Sequence, residues 1–84
     1  MKKNKDIRMT IPADNVVNSS ADISEEGYEP IGVVAIAPNV YGVVPESWSV
    51  DGGAQLLTYR ARNITSRQVT LTIWYEILYI KVTS

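Results

Sequence analysis

Carboxylates are the side chains in this sequence that could act as a general acid or base. The 84 residues include no cysteine and no histidine, which excludes thiolate metal sites, Cys or His nucleophile pairs and imidazole proton shuttles. Four acidic residues lie close together in the sequence: Asp22, Glu25, Glu26 and Glu29. Glycoside hydrolysis requires two carboxyl groups about 5 to 10 Å apart across a cleft, for which a chain this short has little room. We therefore expect a non-enzymatic protein without metal or cofactor, in which these residues form a solvated acidic turn. A weak Ca²⁺ site is the alternative.

Arginines make a second chemical candidate. Arg60, Arg62 and Arg67 cluster around a predicted strand and turn, with Tyr59 adjacent. A cationic surface with an aromatic ring is typical of single-strand nucleic-acid binding. Pairing with carboxylates across a sheet, or contact with a neighbouring subunit, is the favoured alternative. The formal charge of the chain is −1, so no bulk field attracts nucleic acid or an anionic membrane. The sequon at 63–65 is interpreted as a chance match, since no secretion signal precedes it.

Alternation of apolar and polar residues indicates which elements position these groups. Strands are predicted over residues 7–11, 31–37, 55–62 and 69–82, the second of them covered on both faces. The last segment is much longer than an ordinary strand, so we expect a bulge or break near Glu76. Prolines and glycines recur too often for any helix.

The remaining segments predict loops. Residues 13–29 favour a loop with one weak strand, and residues 38–53 a long irregular connection with apolar anchors. No apolar run reaches the ~18 residues that span a bilayer, so we expect no membrane insertion and synthesis in the cytoplasm. The sequence predicts an all-β protein, a small antiparallel β-sandwich or jelly-roll-like domain.

The aromatic residues favour surfaces over a dry core. Phenylalanine is absent, and every aromatic residue is a tyrosine or tryptophan, whose ring needs a partner or water for its polar tip. A thin domain that buries no ring completely would show the same preference. Tyr41 and Trp48, in the connection at 38–53, are candidate stacking platforms for a sugar or receptor.

The last strand supplies the candidate subunit interface. If Val69, Leu71 and Ile73 face the core, then alternation directs Trp74, Leu78, Ile80 and Val82 to the other face, where a monomer would expose them. Either a second copy of the chain or the connection at 38–53 could cover them. A small domain gains most from a partner, which favours a homo-oligomer.

The segment Gly27-Tyr28-Glu29-Pro30-Ile31-Gly32-Val33-Val34-Ala35-Ile36 resembles the "GYxPIGIVG" stretch of small β domains in tailed-phage structural proteins. The segments 59–63 and 78–81 are similar to the Arg/Asn turn and the closing "LYxK" of those domains, so the resemblance covers roughly residues 7–82. It implies a virion component, such as a head or tail fibre, spike, capsid decoration or baseplate part. Such domains commonly form homotrimers, and the resemblance carries over no catalytic residue.

From the charge and position of the first residues we expect a flexible basic arm at 1–6, followed by a single β domain at 7–84. Lys2, Lys3 and Lys5 of the arm would dock on another virion protein. The leading hypothesis is a phage structural protein that acts by self-association and attachment to a larger particle. A receptor- or carbohydrate-binding tip, with a host surface glycan as ligand, is the alternative, and a small nucleic-acid-binding domain comes third.

Overall fold

Two antiparallel three-stranded sheets make up the chain in the computed structural model, which describes residues 1–82. The strands are β1 (Lys2–Ile11), β2 (Val16–Asp22), β3 (Tyr28–Pro38), β4 (Val43–Asp51), β5 (Leu56–Asn63) and β6 (Val69–Lys81). The first sheet has the order β1-β6-β3 and the second the order β2-β5-β4. The all-β, antiparallel prediction is confirmed, including the weak strand expected within 13–29. None of the described residues forms a helix that could cross a membrane.

The core lies between the two sheets and is built on their central strands. Along β6, the residues Ile73, Tyr75, Ile77 and Tyr79 are all buried, as the alternation predicts. From the second sheet, Leu57, Tyr59 and Ala61 of β5 join the same cluster. Burying each large apolar side chain contributes about 1.5 to 3 kcal/mol, so these two strands supply most of the stabilising apolar surface.

The first residues of the chain belong to β1 and do not form a flexible arm. Pairing with β6 runs from Lys2 opposite Leu78 to Ile11 opposite Val69 without a register shift. The prediction of a basic arm at 1–6 is therefore wrong. The side of β1 that faces the second sheet carries lysines at this end of the strand, and Lys3 and Lys5 both form ion pairs with Glu25. At this end of β1 the Glu25 carboxylate thus holds inward-facing lysines, where the rest of the strand packs apolar side chains.

The segment at 38–53 contains a strand, so the prediction of a long irregular connection is wrong. β4 lies at an edge of the second sheet and pairs with β5, with a register shift between Pro45 and Ser47. Proline is tolerated on an edge strand because its nitrogen, which carries no hydrogen, can face the open side where no ladder hydrogen bond is needed. The extra residue at the shift breaks the alternation of polar and apolar residues that would have revealed the strand.

β6 is continuous, and the irregularity expected near Glu76 lies on its partner β3. The register of β3 shifts between Pro30 and Gly32 and again between Val33 and Ala35, and Ala35 lies opposite Glu76. A bulge inserts an extra residue and re-aims the side chains that follow it. Ile31 and Val34 of β3 are about half exposed, so the expectation that both faces of this strand are covered is wrong.

Candidate interaction surface

One end of β6 presents apolar side chains on the face of the first sheet that points away from the second sheet. Since Ile73, Tyr75, Ile77 and Tyr79 face inward, the residues between and after them alternate outward, namely Trp74, Glu76, Leu78 and Ile80. The three apolar residues of this series, which Glu76 interrupts, are called the β6 strip from here on. Trp74 and Leu78 are half-buried, and Ile80 is 47% exposed. The structure thus places three of the four predicted interface residues on one face.

Two members of the β6 strip have small neighbours on β3. On the β3 side, Gly32 lies opposite Leu78 and Ala37 lies opposite Trp74. On the β1 side, the opposite residues are Lys2 and Asp6, respectively. Glycine and alanine cover little of a neighbouring ring or isobutyl group, so Trp74 and Leu78 keep part of their surface exposed. Ile80, which lies opposite Glu29 of β3, is the exposed member of the strip. The segment at 38–53, the intramolecular cover considered from the sequence, belongs to the second sheet instead.

The opposite end of the same face is polar. Thr10 of β1 and Thr70 of β6 are paired across the ladder, and their hydroxyl oxygens lie 3.0 Å apart in a hydrogen bond. Asn39 accepts a hydrogen bond from the Thr72 N–H group at 3.0 Å. The outer side of β6 is thus polar at Thr70 and Thr72 and, apart from Glu76, apolar from Trp74 onward.

Val82, the fourth predicted interface residue, lies apart from the strip. It follows the end of β6, and its N–H group donates to the Gly27 carbonyl oxygen at 3.0 Å. Its side chain, 53% exposed, lines a shallow depression of about 570 Å³ together with Glu25, Tyr28 and Gln55. The structure therefore groups Val82 with the turn between β2 and β3.

Tyr41 and Trp48 do not share a platform. Tyr41 lies in the turn before β4 and is 95% exposed. Trp48 lies in the middle of β4 and lines a groove of about 290 Å³ with Val33–Ile36 of β3. The extended run from Val43 to Trp48 spans about 16 Å at ~3.3 Å per residue, so one sugar ring cannot stack on both aromatic rings.

The arginines of β5 are engaged with a carboxylate. Glu46, the extra residue at the shift in β4, accepts hydrogen bonds from Arg60 Nε at 2.8 Å and from Arg62 Nε at 2.6 Å. Hydrogen bonds from Arg62 and then Arg60 hold the pKa of Glu46 below its usual value. Arg67 lies exposed in the turn between β5 and β6. The favoured alternative, pairing across the sheet, thus describes two of the three arginines.

The acidic residues of the β2–β3 turn are divided among separate contacts. Glu25 bonds to Lys5 Nζ at 2.9 Å and to Lys3 Nζ at 3.0 Å, and these hydrogen bonds lower its pKa. Asp22 accepts a hydrogen bond from the Ser24 N–H group at 2.8 Å, which lowers the pKa of its carboxyl group. Within residues 1–82, no three acidic side chains come together in an arrangement that could hold a metal ion.

Asn63 has a structural role that sequence reasoning missed. Its side chain is fully buried, and its Nδ2 donates to the carbonyl oxygens of Ile11 at 3.0 Å, Pro12 at 3.2 Å and Arg67 at 2.8 Å. Its Oδ1 accepts from the Thr65 N–H group at 2.9 Å and from Thr65 Oγ1 at 2.6 Å. The Asn-x-Thr spacing interpreted as a chance sequon therefore forms a local turn that joins three segments of the chain. A polar residue at an inward-facing position of β5 was the signal that could have revealed it.

Two buried tyrosines differ in their hydrogen bonding. Tyr79 donates its hydroxyl to the Ile23 carbonyl oxygen at 2.6 Å, whereas the Tyr75 hydroxyl has no hydrogen-bond partner among residues 1–82. Burial, with a smaller contribution from Tyr59, raises the pKa of Tyr75 to about 12. The rings of Tyr59 and Tyr75 lie 6.1 Å apart between centroids. The Tyr75 hydroxyl therefore remains protonated in the folded chain at neutral pH.

Comparisons of the chain with protein-family models, with curated proteins and with solved structures found no match. The resemblance of the 27–36 and 78–81 segments to phage structural domains stays a prediction.

Proposed function

We propose that this chain is a non-enzymatic structural protein that acts by self-association and by attachment to a larger assembly. The observation that carries the proposal is the β6 strip on the outer side of a sheet, in which Ile80 is exposed and Trp74 and Leu78 are partly exposed. Exposed apolar patches bordered by polar residues mark association sites in small soluble domains. Asp6 and Lys2 provide such a polar border on the β1 side.

The size of the chain supports the same proposal. A domain of 84 residues buries only about 60 to 65% of the surface that its unfolded chain exposes, so covering the strip with a second copy adds to a small buried apolar area. The virion setting and the homotrimeric state are supported by the resemblance of the sequence alone. Attachment to other virion proteins is part of the proposal on that basis.

Matched charge insertions on the two outer faces test the β6 strip. Ile80→Lys puts an ammonium group into the strip, whereas Thr58→Lys puts the same group at an exposed position on the outer face of the second sheet. We expect light scattering to give the wild type and Thr58→Lys the same oligomeric mass, and Ile80→Lys a lower one. An unchanged mass for Ile80→Lys would show that the strip is not an association surface.

The groove at Trp48 favours a second candidate function, a receptor- or carbohydrate-binding module. An apolar groove of about 290 Å³ beside an exposed indole ring has the composition of a small ligand site. Screening the full chain and Trp48→Ala against a glycan array tests this function. Glycan binding that is lost in Trp48→Ala would support it, and silence of the wild-type chain would exclude it for the glycans on the array.

A further inference from the structure

β1 presents a straight, open edge. It is the outer strand of the first sheet, and its pairing with β6 contains no register shift over Lys2–Ile11. Of the other three edges, those at β3 and β4 are interrupted by register shifts, and β4 also carries Pro45. The edge at β2 contains no register shift, but β2 has 7 residues against the 10 of β1. Regular edge strands can pair with another strand through their free N–H and C=O groups. β1 is therefore the longest regular edge, which makes it the best suited to accept a partner strand.

The hydrogen bonds at the start of the chain show which backbone groups point to this open edge. Met1 and Tyr79 exchange two bonds: the Met1 amino group donates to the Tyr79 carbonyl oxygen at 3.0 Å, and the Tyr79 N–H group donates to the Met1 carbonyl oxygen at 2.7 Å. Hydrogen-bonded pairs alternate along an antiparallel ladder. Odd-numbered residues of β1 thus bond to β6, and even-numbered ones, such as Asp6 and Arg8, direct their N–H and C=O groups to the open edge.

We propose that two copies of the chain pair antiparallel through β1, about a two-fold axis at Ile7. In this register Asp6 lies opposite Arg8 of the partner subunit and Arg8 lies opposite the partner's Asp6. Both side chains are exposed on the outer face, and neither forms an ion pair within residues 1–82. Asn4 then pairs with the partner's Thr10, and the even-numbered backbone groups meet one another across the axis.

Charge selects this register over its neighbours. An axis at Asp6 would place two carboxylates opposite each other, and an axis at Lys5 or at Arg8 would place two cations opposite each other, which is unfavourable. In the proposed register Lys5 faces the partner's Met9 and Lys3 faces the partner's Ile11. The charges of both lysines are also balanced within their own subunit by Glu25, at 2.9 and 3.0 Å. Opposite charges thus face each other across the axis, and like charges do not.

The pairing extends the proposed function, on which it rests. It joins the first sheets of two copies into one continuous sheet. The outer faces of the two copies point the same way, because the two-fold axis is perpendicular to the sheet. The two β6 strips then face a common direction and present a larger apolar surface to a further layer. A two-fold axis predicts a dimer as the basic unit, in contrast to the trimer that the resemblance implies.

Single-cysteine variants test the register, since the native chain contains no cysteine. Ile7 would lie opposite itself in a non-hydrogen-bonded pair, where Cα atoms are about 4.5 Å apart, within the range of a disulfide. We expect Ile7→Cys to form a disulfide-linked dimer on mild oxidation. Thr10→Cys is the control: it is exposed on the same strand but lies opposite the partner's Asn4, so the same treatment should leave it a monomer on a non-reducing gel.

Charge variants provide a second test that does not depend on Ile7. Asp6→Arg or Arg8→Asp alone turns both Asp–Arg contacts into like-charge contacts, and we expect the dimer dissociation constant to rise about tenfold. The double variant restores opposite charges and should recover the wild-type constant within about threefold. Sedimentation velocity over a concentration series measures all of these constants on the full chain.

The outcomes separate this inference from the proposed function. If the wild type associates but Ile7→Cys behaves like Thr10→Cys and the charge variants match the wild type, pairing through β1 is wrong and self-association stands. A trimer as the smallest assembly leads to the same conclusion. A wild-type chain that stays monomeric at every concentration overturns both.

Discussion

Removing the Asn63 amide should cost this protein a large part of its stability. Asn63→Ala deletes the donor to three carbonyl oxygens, those of Ile11, Pro12 and Arg67, and the acceptor for two groups of Thr65. Each such hydrogen bond contributes about 0.5 to 1.5 kcal/mol net, and each buried group left without a partner costs about 1 to 3 kcal/mol. Since the loosened turn can admit water to some of these groups, we expect a total loss of about 3 to 5 kcal/mol.

This loss is comparable with the total stability of the chain. At about 0.05 to 0.15 kcal/mol per residue, an 84-residue domain has about 4 to 13 kcal/mol. Urea denaturation followed by tryptophan fluorescence would show a midpoint lowered by about 3 to 5 M, with a slope near 1 kcal/mol per M. Asn18→Ala, at an exposed position of β2, is the control and should shift the free energy of unfolding by less than about 0.5 kcal/mol. Equal midpoints for the two variants would refute the role given to the Asn63 side chain.

Three further predictions concern single groups. Tyr75→Phe removes a hydroxyl without a partner in the described chain and should change the free energy of unfolding by less than about 0.5 kcal/mol, whereas Tyr79→Phe breaks a buried hydrogen bond and should cost about 1 to 2 kcal/mol in the same urea assay; equal costs would contradict this. Gly42→Ala places a Cβ atom against the Thr65 side chain at a φ of 93° and should cost about 1 to 3 kcal/mol by thermal unfolding, while Gly53→Ala, whose Cβ would meet nothing closer than 3.5 Å, should be close to neutral. The pKa of Glu25 is lower in the folded chain than its ordinary value of 4.5, so the unfolded chain binds more protons, and stability should be lost as the pH falls below about 4.5 through the lowered pKa; urea midpoints of Glu25→Gln should fall less over this range than those of the wild type, and parallel curves would contradict it.

Alternation of side chains made the centre of each sheet predictable. The buried residues of β6 and β5 follow a strict period of two, since central strands of a sandwich have one inner and one outer face. The β6 strip followed from the same rule, because the parity that buries Tyr75 and Ile77 directs Trp74 and Leu78 outward.

The edges of the sheets were not predictable in the same way. β4 carries Pro45 and an extra residue at Glu46, and β3 carries its two register shifts, so neither keeps the period that pattern reasoning depends on. At the start of β1, the inward positions are filled by Lys3 and Lys5, whose partner Glu25 is 20 or more residues away in the sequence. Contacts of that kind become visible only when the topology is known.

Sedimentation velocity of the full wild-type chain from about 1 to 100 µM tests the central claim most directly. A self-associating structural protein should sediment as a multiple of the 9.3 kDa chain, with the β1 pairing predicting about twice that mass as the smallest species. A single species at the mass of one chain over the whole range would contradict the proposal that this protein acts through assembly.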